Sequence, residues 1–347
     1  MSQKVMIGMS GGVDSSVAAY LLKKQGYVVT GFNMRLFDDY IEDASNITAT
    51  AQNVADKLGI NFISVDCRKE FHDYVVKPFI ETYEKGMTPN PCIECNRCIK
   101  FNLLSLDDTI YLATGHYACV EYANNRWKLK KSSNLDKDQS YFLYTLSQDT
   151  LARVIFPLGQ MDKSEVRKIA EEQQLINAHK KDSQDICFIT DGDHAGFIRK
   201  QTTRNYPDGN FVDTNGNVLG RHKGLIKYTV GQRKGLGLAL KKPMYVLRLD
   251  ADKNEVVLAD NEDLFTTQLR ANKFNWVSIS NPNEPFRALG RIRYRHKEAP
   301  CTVTPLSDNT VSVVFDEPQR AITAGQSFVL YDIETDSYVL GGGIIID

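Results

Sequence analysis

Apolar positions follow two periods over the first 120 residues. Val5 to Ile7 is a short apolar run ended by Gly8. After it come Val17, Leu21 and Leu22 at helical spacing, with Lys23 and Lys24 in the last turn and Gly26 as a stop. Val28 to Met34 and Asn61 to Val65 read as further strands. Ala44 to Leu58, closed by Gly59, and Phe71 to Glu84, kinked at Pro78, read as helices. Ile110 to Thr114 is a fourth strand ending at Gly115-His116, and Ser164 to Leu175 a later helix. The alternation predicts a parallel sheet with helices on both faces. Ligands of such sheets gather at the carboxyl ends of the strands, a rim that takes Ser10, Met34, Asp66 and Gly115.

The texture changes near residue 200. Pro207-Asp208-Gly209, Asn215-Gly216-Asn217, Lys253-Asn254 and Ser307-Asp308-Asn309 are turn signals. Between them lie short strand patterns at Tyr245 to Leu249, Glu255 to Leu258, Val311 to Phe315 and Ser327 to Tyr331. The predicted organisation is an α/β domain over residues 1–199, a small β-rich central domain over 200–269 and a C-terminal β-barrel over 270–347.

The 347 residues are 42% hydrophobic and 24% charged, a globular balance. No run of 18 apolar residues occurs and the Met-Ser-Gln-Lys start lacks an apolar signal region, so a cytoplasmic location is expected. Seven cysteines in a reducing compartment favour thiols, metal ligands or catalytic groups over a disulfide framework.

Gly8-Met9-Ser10-Gly11-Gly12-Val13-Asp14-Ser15 joins the first strand to the first helix. A helix N-terminus after a glycine turn aims unpaired N–H groups at an anion. No Gly-Lys-Ser/Thr follows, which excludes a γ-phosphate-transferring loop, and no G-x-G-x-x-G supports a dinucleotide site. The string Ser-Gly-Gly-Val-Asp-Ser resembles the pyrophosphate loop of the PP-loop ATPases. That resemblance implies ATP cleaved between its α and β phosphates to give an adenylated substrate.

Thr88-Pro89-Asn90-Pro91-Cys92-Ile93-Glu94-Cys95-Asn96-Arg97-Cys98 concentrates thiols behind two prolines. Pro89 and Pro91 rule out a helix through Asn90, which places Cys95 near the start of a helix running toward Leu104. There the helix terminus, Arg97 and Lys100 favour a thiolate. Three readings compete: incidental thiols, an iron–sulfur or zinc half-motif, or a nucleophile. Cys187, between Ile186 and Phe188, means little alone. Cys67, Cys119 and Cys301 read as structural, and Cys98 as a spare thiol.

Taken with Asp182-Ser183-Gln184-Asp185-Ile186-Cys187-Phe188, this segment resembles the bacterial tRNA-specific 2-thiouridylases. Ala113-Thr114-Gly115-His116-Tyr117, Lys137 to Leu143, Gly231 to Gly237, Arg293-Tyr294-Arg295 and Ala324-Gly325-Gln326 are similar to other strings of that family. The resemblance implies an enzyme that replaces the 2-oxygen of the wobble uridine with sulfur in tRNAs for glutamate, glutamine and lysine. It implies ATP and Mg2+ held by Gly8 to Ser15, with Met34 and Gly115 on the adenine side and Asp14 orienting loop or metal. By the same resemblance Cys187 carries persulfide from a sulfur-relay carrier protein and Cys95 is the nucleophile. Asn90, Pro91 and Cys92 face the target base of the anticodon loop. Many family members carry Asp where this chain has Cys92, so Cys92, Cys95 and Cys187 also offer three ligands to a [4Fe–4S] cluster. His116 is a candidate catalytic group by its rim position. Lys137, Asp138, Gln139, Arg293, Tyr294, Arg295 and Gln326 are tRNA contacts by resemblance.

Net charge is −1, yet no acid lies between Asp213 and Asp250, a span with Arg221, Lys223, Lys227, Arg233, Lys234, Lys241, Lys242 and Arg248. Arg291, Arg293, Arg295 and Lys297 alternate with Ile292, Tyr294 and His296. A strand there would place four cations on one face as a phosphate track. Two rival readings are another PP-loop ligase that adenylates a carboxylate and a cluster- or zinc-holding RNA-binding module. The first lacks an ammonia-generating segment, and the second is at odds with an intact pyrophosphate loop.

Overall fold

The computed structural model describes residues 3–37, 44–102, 109–180 and 186–347. Strands β1 (Lys4–Gly8), β2 (Val28–Arg35), β3 (Asn61–Asp66) and β4 (Tyr111–Ala113) form a parallel sheet in the order β3-β2-β1-β4, with Val154–Ile155 outside β4. The two-residue period of β1 explains the layers. Val5 and Ile7 point into a core with Val17, Ala18 and Leu22 of helix α1 (Val13–Lys24) and Ala51, Val54 and Ala55 of α2 (Ala44–Leu58). Met6 points the other way, onto a cluster containing Phe32, Leu112, Tyr141 and Tyr331.

Two helices depart from the regular pattern. The expected Phe71–Glu84 helix starts at Arg68 and passes through a π-turn at His72–Val76 before continuing as Lys77–Glu84. Pro78 sits in the first turn of that last piece, where its missing N–H costs little, so the expected kink takes the form of the π-turn. The helix expected to run from Cys95 toward Leu104 begins earlier, at Pro91, and turns π-helical over Asn96–Lys100. Its expected end lies outside the described residues.

The central sheet runs in the order Tyr245–Asp250, Glu255–Ala259, Gly209–Val212, Val218–His222. The last segment is an antiparallel barrel. Phe265–Trp276, Val311–Arg320, Ala299–Pro305, Phe286–Arg291, Ser327–Tyr331 and Tyr338–Ile345 pair in that order, and Tyr338–Ile345 pairs back onto Phe265–Trp276. A hairpin from the first half of the chain, Ala118–Ala123 and Arg126–Lys131, joins this sheet through Tyr338↔Lys130 and Val339↔Leu129. Around that junction lie buried Tyr141, Tyr144, Leu146, Val329 and Val339. Burial of so many aromatic and aliphatic side chains fixes the α/β layer against the barrel.

Candidate functional site

The glycine loop closes at the carboxyl end of β1. Ser16 N–H makes the first intrahelical bond of α1, to Gly12 C=O at 3.3 Å, so the N–H groups of Val13, Asp14 and Ser15 have no partner earlier in the helix. Internal bonds hold the turn open: Ser10 N–H donates to Ser15 Oγ (3.2 Å) and Ser15 Oγ donates to Gly12 C=O (3.1 Å). Asp14 Oδ1 accepts from Lys163 Nζ (2.7 Å) and from the Tyr117 hydroxyl (2.9 Å). Asp14 is thereby tied to β4's extension and to the helix Lys163–Glu172. Gly115 packs directly on α1: a Cβ there would stand 2.8 Å from Ser15 N and 3.0 Å from the Asp14 carbonyl carbon. Met9 is buried and donates its N–H to Phe32 C=O at 2.7 Å, so its side chain belongs to the core beneath the loop. Met34 lies partly buried at the carboxyl end of β2, between the clusters on either side of Phe32 and Cys95.

Asn177 escaped the sequence reading. Its Nδ2 donates to Gly11 C=O (3.1 Å) and to Ser16 Oγ (2.9 Å), bracing the loop from a segment 166 residues away. Its Oδ1 is buried without a partner. Lys180 Nζ reaches Gly11 C=O at 3.5 Å. A lone asparagine in Leu175-Ile176-Asn177-Ala178 carries no sequence signal; only the long-range contact reveals it.

The cysteine segment leaves the Thr88–Pro89 step with Asn90 as N-cap and Pro91 first in the helix. Cys92 therefore occupies the first turn, and Cys95 lies beyond it. This corrects the expectation of a thiolate at Cys95. Burial pushes its thiol up to about 11, and the opposing pull of Lys100 is smaller. Arg97 is engaged with Glu94 rather than with Cys95. Burial also raises Cys92 and Cys98.

Cys187 is an exposed residue, yet the surrounding protein desolvates its sulfur and, with Cys92 and Cys95 adding to the effect, pushes its thiol up to about 12. The fold thus brings Cys187 within electrostatic reach of Cys92 and Cys95. The same neighbourhood shows in packing: Cys95, Ile99, Phe71, Phe79, Phe188 and Ile189 share one buried cluster. Lys181 and the run Asp182 to Asp185 lie outside the described residues. All seven cysteines are free thiols. Among the described residues no group of three or more His, Cys, Asp and Glu side chains is arranged to hold a metal ion, so the expected iron–sulfur cluster on Cys92, Cys95 and Cys187 finds no support there.

His116 Nδ1 lies 2.7 Å from Thr114 Oγ1, and its ring meets Phe101 and Phe156. Burial lowers its pKa to about 3, which favours the neutral imidazole.

The residues carried over as RNA contacts divide. Asp138 is buried, accepting from Ser132 N–H (2.9 Å) and Ser140 Oγ (2.7 Å), with Arg291 at 3.9 Å. Its carboxylate organises the protein interior and is not a surface contact. Gln139 Oε1 accepts from Tyr117 N–H (3.0 Å). Gln326 Nε2 donates to Thr88 C=O (3.0 Å) and Pro89 C=O (3.2 Å). Lys137 closes a short 3-10 turn at Leu135–Lys137.

The expected four-cation strand face is absent: Phe286–Arg291 ends at Arg291, and residues 292–296 form bends and turns. Arg291 instead turns inward, to Glu298 at 3.2 Å and over the rings of Tyr141 and Tyr294. Tyr294 packs on Phe142 at 4.4 Å between ring centroids. Arg293 is half-buried beside Arg320, and Arg295 follows in the turn. In the acid-free window, residues outside or at its end supply counter-charges: Lys223 pairs with Asp208, Lys242 with Asp260 and Arg248 with Asp250. Arg233, Lys234 and Lys241 stay exposed on the loop after Gly231.

The family model described as "tRNA methyl transferase HUP domain" matches residues 3–191. Models described as "tRNA methyl transferase PRC-barrel domain" and "Aminomethyltransferase beta-barrel domain" match 195–260 and 266–345. The tRNA-specific 2-thiouridylase MnmA of Clostridioides difficile (strain 630) is 47% identical over 361 residues, covering 99% of this chain and 98% of that protein. The chain belongs to the tRNA-specific 2-thiouridylase family. Another 2-thiouridylase, from Acetivibrio thermocellus, is also 47% identical, over 358 residues and 99% of both chains. Among solved structures, the U34-tRNA thiolase NcsA from Methanococcus maripaludis with its [4Fe-4S] cluster aligns with 57% of this chain and 62% of that chain. The TM-score of 0.36 and identity of 22% are too low for a residue-level comparison. No helix among the described residues of this 2-thiouridylase is long and apolar enough to cross a membrane.

Proposed function

We propose that this protein is an ATP-dependent tRNA-uridine 2-sulfurtransferase acting on the wobble uridine. The observation that carries the reading is the approach of Cys187 to Cys92 and Cys95, with Phe188 packed in the cluster of Cys95, in a chain whose β1–α1 turn leaves helix N–H groups open to an anion. ATP enters as its Mg2+ complex, a substrate. The uridine 2-oxygen attacks the α-phosphorus and pyrophosphate leaves toward the N-terminus of α1, where the dipole and open N–H groups stabilise its charge. Adenylation turns a poor leaving group into AMP.

Sulfur arrives on Cys187 as a persulfide from a carrier protein. The Cys95 thiolate attacks the Cys187 sulfur, a Cys95–Cys187 disulfide forms, and HS⁻ leaves carrying the electron pair. HS⁻ adds to C2, and AMP departs. A dithiol reductant resets the disulfide. A variant order has Cys95 attack C2 first. The raised thiol of Cys95 fits a resting enzyme held inert until substrate and persulfide are in place. Asn90, Pro91 and Cys92 lie one helical turn from Cys95 and can face a base splayed from the anticodon loop. The relay needs only Cys95 and Cys187 near one another, and the shared packing of Cys95 and Phe188 supports it.

The test is mass analysis of wobble uridine after reaction with wild type, Cys95→Ala and Cys187→Ala, alongside tRNA-dependent ATP–pyrophosphate exchange. Exchange retained with 2-thiolation abolished in both variants supports the scheme. Full 2-thiolation by either variant overturns the two-cysteine mechanism, and exchange that ignores tRNA overturns the substrate.

A further inference from the structure

The Thr88–Pro89 step that feeds the cysteine helix is held from both β domains. From the barrel, Gln326 Nε2 donates to the carbonyls of Thr88 and Pro89 at 3.0 and 3.2 Å, and Thr88 N–H donates to Ala324 C=O at 2.9 Å. Gly325 lies between these contacts at φ +88°; a Cβ there would stand 2.9 Å from Thr88 O and 3.0 Å from Thr88 N. From the central domain, Thr88 Oγ1 donates to Thr229 Oγ1 at 3.4 Å, and Leu249 Cβ would lie 3.0 Å from a Cβ on Gly86.

Pro89 and Pro91 stiffen the entry to the cysteine helix, so a direction set at Thr88 and Pro89 is passed to Cys92 and Cys95 with little slack. Beyond Cys95 a second anchor takes over, Asn96 Nδ2 donating to Phe142 C=O at 3.0 Å. Cys95 is therefore strung between an attachment to the barrel and one to the segment carrying Tyr141 and Phe142.

We propose that Gln326 is a positioning residue for sulfur transfer. Its amide holds the Thr88 and Pro89 carbonyls and so sets where the Asn90–Cys95 turn presents the Cys95 thiol. The assignment rests on Cys95 being the nucleophile of the proposed reaction. Both amide bonds run to backbone oxygens inside the protein, so the group does this work before any RNA binds. It also registers the thiol to the barrel.

The test uses the full-length protein. Gln326→Glu places an acceptor against two carbonyls, and Gln326→Met keeps the length without the donor. Cys95 labelling by iodoacetamide is followed by mass spectrometry without tRNA, with Cys67, a buried thiol of the same cluster, as internal control. Thiolation kcat and KM are measured with a tRNA transcript bearing unmodified wobble uridine. The expected result is Cys95 labelling at least fivefold faster in Gln326→Glu with Cys67 unchanged, kcat down tenfold or more, and KM for tRNA within twofold. Gln326→Met and Thr229→Ala give smaller changes of the same sign and carry the test if Gln326→Glu does not fold.

Unchanged Cys95 labelling with a raised KM makes Gln326 an RNA contact and overturns the proposal. Equal acceleration at Cys95 and Cys67 makes it a general brace and overturns it too. If labelling responds selectively but the wild type forms no 2-thiouridine, the clamp stands and the proposed reaction fails.

Discussion

Gly115→Ala tests whether the β4 end sets the pyrophosphate loop. Gly115 has no positive φ, so an alanine brings no backbone strain, only bulk. Its Cβ would lie 2.8 Å from Ser15 N, 3.0 Å from the Asp14 carbonyl carbon and 3.1 Å from Ser15 Cα, where ordinary contact begins at 3.4 Å. All three atoms are backbone at the start of α1, so no flexible side chain can yield. The helix terminus must retreat by about half an ångström, a displacement of the order that costs tenfold to a hundredfold in a positioned reaction.

Overpacking of this kind also costs roughly 1–3 kcal/mol of stability. The assay is tRNA-dependent ATP–pyrophosphate exchange, with KM for ATP taken from initial rates and thermal unfolding measured in parallel. The expected result is exchange reduced by about tenfold to a hundredfold with the protein still folded. Exchange and KM both within twofold of wild type would refute the reasoning, because the loop would then not depend on the Gly115 contact.

Asn177→Ala removes two bonds to the loop and is expected to raise KM for ATP by about tenfold, since each such bond contributes about 0.5–1.5 kcal/mol; the same exchange assay reads it. The triple variant Arg233→Ala, Lys234→Ala, Lys241→Ala should lower the slope of log Kd for tRNA against log salt by about 2 while leaving exchange at saturating tRNA intact. Filter binding over a salt series checks this. In the tRNA-free enzyme, alkylation of Cys95 should rise with pH through 9 and level off near 11, instead of near the ordinary 9.0. Because folding raises this pKa, the protonated thiol is the form the fold favours. Its contribution to stability is complete below pH 9 and is lost as pH rises toward 11. A plateau in alkylation below pH 9 would show that Cys95 is already ionised by its surroundings.

The apolar periods of residues 5 to 66 determined the parallel sheet and placed the glycine loop on its rim, because strand and helix spacing is a local property. The order of Thr88 to Cys98 and the motif around Cys187 pointed to the proposed thiol chemistry only through their resemblance to a family. Three features lay beyond local reading. Burial reversed the expected ionisation of Cys95, since desolvation is set by neighbours as remote as Phe188. Alternation from Arg291 to Lys297 suggested a strand face, but Arg291 is drawn inward by Asp138, Glu298 and two tyrosine rings, and the chain turns there.

Asp138, Asn177 and Gln326 carry no local sign of whether they face solvent or another segment; their partners lie up to 238 residues away. What the sequence determined by itself is a glycine turn between the first strand and helix and two separate cysteine segments, the pair proposed here as ATP and sulfur half-sites. Only the tertiary structure decided how they are joined: Gly115, Lys163 and Asn177 fix the first, and the barrel's Gln326 ties the second to the domains around it. Those contacts depend on packing between elements distant in the chain, which periodicity and motif spacing do not encode.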